Sequence, residues 1–176
     1  MTYLTPFLPL IGVVAGGLLA YLFGSRNESK KWERAERTRT GEIRRKAYSE
    51  YARAIKRETV LCRKMASHLN LGPVGERLDP ADGLPELSAT NRERSSLFEE
   101  LLLVGDQEVV TTARAWQDSV WMLRKAIRGE INPADHPFSD LYSACGVARD
   151  TFYAAARHDL GVPGSVSAMS PAPTSA

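Results

Sequence analysis

From Leu4 to Gly24 the chain carries no charged side chain, and Arg26, Lys30, Lys31, Arg34, Arg37 and Arg39 follow at once. Roughly 20 residues at ~1.5 Å each cover ~30 Å, the thickness of a bilayer's hydrocarbon core. Eleven Leu, Ile, Val and Phe residues lie from Leu4 to Phe23. Each favours insertion near the centre of a span by roughly 0.3–0.6 kcal/mol. The pattern predicts a transmembrane helix over residues 1–25. Pro6 and Pro9 fall in its first turns, where missing amide donors cost least, so the regular helix starts near them. A cleaved secretory leader fits less well, because Met1-Thr2-Tyr3 has no Lys or Arg and no small-x-small cleavage pattern lies near Phe23.

Lys and Arg are enriched on cytoplasmic flanks of membrane helices. A single pass through the cell (inner) membrane is therefore expected, with the N-terminus outside and the C-terminal domain cytoplasmic. Cys62 and Cys145 both fall in amphipathic helical patterns, as expected of reduced thiols packing as small apolar groups.

The net charge of +2 hides an asymmetry: Arg26 to Lys64 carries +8 and the remainder −6. Residues 26–42 read as a basic juxtamembrane stalk. Arg26, Lys30, Lys31 and Arg34 are placed to contact anionic lipid headgroups, at about 1 kcal/mol per cation near the surface. The later charges read as a solvated helix face. Glu28, Glu33, Glu36, Glu42, Glu50 and Glu58 interrupt any surface that could track phosphates, so nucleic acid is not an expected partner. Within the apolar run, Gly12, Gly16, Ala20 and Gly24 recur every fourth residue and form a smooth ridge. Such ridges permit close backbone approach in lipid, so this is the expected helix-association face of a homo-oligomer.

Residues 43–161 read as an all-α bundle of about four helices with no sheet, followed by a disordered Ser/Pro/Ala tail over 162–176. A proline-free helix is predicted from Asn27 to Leu69, with Tyr48, Ala52, Ile55, Thr59, Cys62, Ala66 and Leu69 stepping by four and three along one buried stripe. Asn70 to Pro85 is rich in Gly and Pro and reads as a long, mobile loop. A second helix starts near Ser88 or Thr90 and continues through Val104. Gly105 closes it and Asp106 caps the next, whose stripe is Val109, Ala113, Trp116, Val120, Leu123 and Ile127. Pro137 opens a last helix that Gly161 and Pro163 end. Trp116, Phe98, Phe138 and Phe152 are the expected aromatic core, while Trp121 falls one residue off its stripe and fits either core or surface.

Little in the chain points to chemistry. His68, His136 and His158 lie in separate segments without a second His or Cys at ligand spacing, so no metal and no cofactor is expected. Arg63 and His68 spell Arg-x-x-x-x-His. This resembles the motif of the HEPN helical ribonucleases, although Lys64 stands where that family usually has a small polar residue. The resemblance implies that Arg63 and His68 would act on an RNA phosphate. The stretch Ala155-Ala156-Arg157-His158-Asp159-Leu160-Gly161, with the layout as a whole, is similar to small single-pass actinobacterial and phage-borne membrane proteins with a helical cytoplasmic domain. That likeness implies an architecture and no activity.

The expected function is a membrane-tethered, non-enzymatic interaction module recruiting an unknown cytosolic or membrane protein. A toxin or phage-exclusion factor acting through a self-associating span is one alternative, and the HEPN-like ribonuclease another.

Overall fold

The computed structural model describes residues 8–163, with the side chains of residues 8–31 and 33–35 outside the described set. Four helices follow in order: α1 Leu8–His68, α2 Pro80–Val104, α3 Gln107–Ile127 and α4 Phe138–Asp159. The described residues contain no strand. The chain divides into two units, Met1–Glu42 and Ile43–Ala176. Among the described residues no helix is long and apolar enough to cross a membrane. The charge-free run Leu4–Gly24, the ridge Gly12, Gly16, Ala20 and Gly24, and the cations Arg26, Lys30, Lys31 and Arg34 lie outside the described residues or side chains, as does the tail from Gly164 onward. In the first unit Trp32 is 78% exposed.

In the second unit, α1 supplies two adjacent stripes. Tyr48, Ala52, Ile55, Cys62 and Ala66 are buried as their spacing predicts, whereas Thr59 is half-buried and Leu69 is exposed beyond the helix end. Tyr51, Ala54, Glu58, Leu61 and Met65 form a second stripe, also buried. A helix enclosed by neighbours on two sides buries a wider arc than a single stripe. Asn70, at φ 56, takes the left-handed conformation past the end of α1, and Leu71 N–H donates to Ala66 O at 2.9 Å.

Helix α2 starts eight to ten residues before the expected site at Ser88 or Thr90. Asp79 is its N-cap, accepting from Ala81 N–H at 2.8 Å, and Pro80 occupies the first helical position. Pro85 lies inside the helix but in its second turn, where its missing donor leaves only the carbonyl of Ala81 without an intrahelical partner. The connection from α1 is correspondingly shorter than Asn70–Pro85 and is tied to α1 at two points. Leu78 N–H donates to Lys64 O at 3.2 Å, and Ser67 Oγ accepts from Gly75 N–H at 3.1 Å.

Gly105 follows α2, and Asp106 Oδ1 accepts from Val109 N–H at 2.9 Å to cap α3. All six stripe positions of α3 are buried. Gly129 and Gly161, at φ 68 and 64, turn the chain out of α3 and α4 in a conformation that costs glycine little.

Tyr51, Trp116 and Phe152 meet in the middle, with Tyr51–Phe152 centroids 5.6 Å and Trp116–Phe152 centroids 5.5 Å apart. Tyr51 is fully buried and its hydroxyl donates to Ala113 O at 2.8 Å. Phe138 is buried as expected, but Phe98 is only half-buried at the edge of this cluster. Trp121 belongs to the surface: it is 51% exposed, with Lys125 Nζ 3.7 Å from its ring centroid.

Candidate functional site

Two polar features in the second unit compete for a functional role. The first lies in the interior, where Glu58 sits at a core position of α1 and is 1% exposed. Arg94 of α2 donates from Nε to Glu58 Oε1 at 2.8 Å and from Nη2 to Asn91 Oδ1 at 2.7 Å. Arg124 of α3 donates from Nη1 to the same Asn91 oxygen at 2.7 Å and lies 3.9 Å from Glu58 Oε2. Burial pushes the Glu58 carboxyl above the ordinary range, and the guanidiniums of Arg94 and Arg124 pull it back. Every charge in this group is answered by another from a different helix, which is the behaviour of a structural network. Glu58 therefore does not belong to the solvated face on which the sequence pattern sets it. Ile55 three residues before it and Cys62 four after it lie on the neighbouring stripe, a spacing that permits burial of Glu58 without requiring it.

The second feature is an open groove of about 810 Å³ between α1 and α2. Val60, Leu61 and Leu97 give it apolar surface. Arg53, Lys56, Arg57 and Lys64 from α1 face Glu86 and Glu93 from α2 across it. Several of these charges are already paired: Arg57 with Glu93, Lys64 with Glu76 at 2.7 Å, and Arg53 with Glu50 at 3.8 Å. Lys56 and Glu86 have no ion-pair partner among the described residues. Apolar surface rimmed by charges of both signs offers recognition by shape and charge.

The sequence-derived pair Arg63 and His68 is placed on α1 five residues apart, about 140° around the helix axis. Both are exposed, and His68 Nε2 lies 3.7 Å from Asp79 Oδ2. No hydrogen bond joins the two among the described residues. His158 is at the far end of the bundle sequence, 3.9 Å from Glu108. Among the described residues no group of three or more His, Cys, Asp or Glu side chains is arranged to hold a metal ion. Cys62 and Cys145 are both free and buried, and burial pushes the Cys62 thiol up to about 12. Comparison with known protein families, with curated proteins and with solved structures finds no match.

Proposed function

We propose that this chain is a membrane-tethered interaction module, in which an N-terminal span holds a helical bundle at the inner membrane face and the α1–α2 groove receives a segment of a partner protein. The observation that carries the recognition half is the groove itself: about 810 Å³, open, apolar at Val60, Leu61 and Leu97, and rimmed by opposed charges. A helical partner segment with a few apolar anchors flanked by both Lys/Arg and Glu suits such a surface. The tether is supported by the charge-free run Leu4–Gly24 and the cations that follow it. Confinement to a surface raises the effective concentration of the module for partners held at the same surface.

The test uses the full chain in its native membrane, with a photo-crosslinking amino acid at Leu97 in the groove or at Leu103, an 85% exposed residue of the same helix outside it. The expected result is a carbonate-resistant membrane protein with a discrete crosslinked partner from Leu97 and none from Leu103. Recovery in the soluble fraction overturns the tether, and indistinguishable crosslinking from the two sites overturns the groove.

A further inference from the structure

A second, smaller cavity of about 90 Å³ opens where α1, α3 and α4 converge. By the same measure ~10–15 Å³ is enough to admit one water, so this cavity has room for a small organic molecule. Its composition is graded from inside to outside. Trp116 is 1% exposed, Cys145 is 2% exposed, and Thr59 is half-buried, whereas Lys56 is exposed and Tyr142 and the Arg149 side chain are 36% and 26% exposed.

Two inner groups have unused hydrogen-bonding capacity of opposite kinds. The indole Nε1–H of Trp116 is buried and donates to no acceptor among the described residues. A buried donor left unmade costs roughly 1–3 kcal/mol. The hydroxyl of Thr59 spends its proton on Ile55 O at 3.0 Å, so in its 3.8 Å contact with Cys145 Sγ the thiol donates, and Thr59 Oγ1 keeps one lone pair for a further donor. The residues lining the cavity thus carry one unmade donor and one acceptor with a lone pair to spare. A ligand hydroxyl answers both at once, since its oxygen accepts and its proton donates; a ketone oxygen answers only the donor.

The mouth supplies positive charge. Lys56 has no carboxylate partner among the described residues, and Arg149 is held by Asp150 alone, with Nε and Nη2 both 2.8 Å from Oδ1. Arg149 therefore keeps donors for a second anion.

We propose that this cavity binds a small 2-hydroxy carboxylate of two or three carbons. The hydroxyl lies inward between Trp116 Nε1–H and Thr59 Oγ1, and the carboxylate lies outward against Lys56 and Arg149. Gly146 stands on the wall, and a Cβ there meets nothing within 4 Å, so the cavity reaches the α4 backbone at that point.

The chain has three tryptophans, Trp32, Trp116 and Trp121, so indole-¹⁵N labelling of the full chain in detergent micelles gives three resonances, assigned through Trp32→Phe and Trp121→Phe. Titration with lactate is expected to move the Trp116 resonance saturably, with pyruvate and acetate each weaker by about tenfold or more for want of the donated hydroxyl. Gly146→Leu fills the cavity from a helical position that has open space and gains helix propensity. It is expected to abolish the lactate response while keeping the wild-type resonance pattern and a thermal midpoint no lower than that of the wild type. Lys56→Gln and Arg149→Gln each weaken lactate by about tenfold. A Trp116 resonance that lactate does not move, a response that survives Gly146→Leu, or equal midpoints for lactate, pyruvate, acetate and chloride overturns the proposal.

Discussion

Glu58 of α1 and Arg94 of α2, 36 positions apart in sequence, meet at 2.8 Å inside the bundle with side chains only 1% and 6% exposed. The pair joins the two helices that also form the groove. Arg94→Ala leaves Glu58 with Arg124 at 3.9 Å as its nearest cation. We expect a loss of about 3–5 kcal/mol in denaturant unfolding of the full chain, because breaking a buried pair strands a charge. Replacing both residues, as Glu58→Leu with Arg94→Met, should cost clearly less than Arg94→Ala alone. A double variant less stable than the single one would contradict this account.

The half-buried Asp159 at the end of α4 gives a second test. Tyr48 OH donates to its Oδ2 at 2.6 Å and Arg44 Nη1 to its Oδ1 at 2.9 Å. Burial first, and then the bond to Asp159, push the Tyr48 phenol far above its ordinary value. Tyr48→Phe keeps the ring and removes the donor, so a destabilisation of about 1–3 kcal/mol is expected from thermal or chemical unfolding. Arg44→Gln should cost less, since the Arg44 side chain is 34% exposed and screened by solvent.

Alkaline pH should weaken the bundle. The Cys62 thiol is raised from 9.0 to about 12, chiefly by burial and secondarily by Glu58. Folding therefore favours the protonated thiol. The stability this contributes is fully present below about pH 9 and is lost as pH rises through the folded-state value. Tyr48 and Tyr51, raised from 10.0 mainly by burial, act in the same direction at higher pH. Denaturant midpoints are expected to hold steady between pH 7 and 9 and to fall between 9 and 12, with a shallower fall for Cys62→Ala. The same burial predicts that thiol reagents label Cys62 far more slowly in the native protein than in denaturant.

Two glycines inside helices should respond in opposite directions to alanine. At Gly83 a Cβ would lie 2.6 Å from Met65 Sδ and 2.9 Å from Leu78 Cδ2, so Gly83→Ala forces the core apart at a cost of about 1–3 kcal/mol. At Gly146 a Cβ meets nothing within 4 Å, and Gly146→Ala should gain about 0.5–1 kcal/mol from helix propensity alone. A melting temperature that holds or rises in Gly83→Ala would refute the packing at Gly83, and one that falls in Gly146→Ala would refute the open space at Gly146.

Much of the helical framework could be read along the chain because it depends on neighbours a few residues away. The spacing of Val109, Ala113, Trp116, Val120, Leu123 and Ile127 marks the buried face of α3, and Asp106, Gly129 and Gly161 mark helix ends, because periodicity and capping are local properties. The start of α2 was harder to read. Gly83 and Pro85 suggest a break, yet Asp79 and Pro80 nucleate the helix early enough that Pro85 falls in its second turn. The groove and the cavity left no such signal, since each draws its walls from helices distant in sequence.

The helical character of the chain, the ends of most helices and the stripe each offers to a core follow from the order of residues, since a 3.6-residue repeat and a cap act within a turn or two. Packing between helices is what makes α1 bury a second stripe, sets Tyr51 at its centre, draws Glu58 inside and leaves Trp121 at the surface. The reason is physical: burial of Glu58 is tolerable only where Arg94 and Arg124 arrive from other helices to meet the charge.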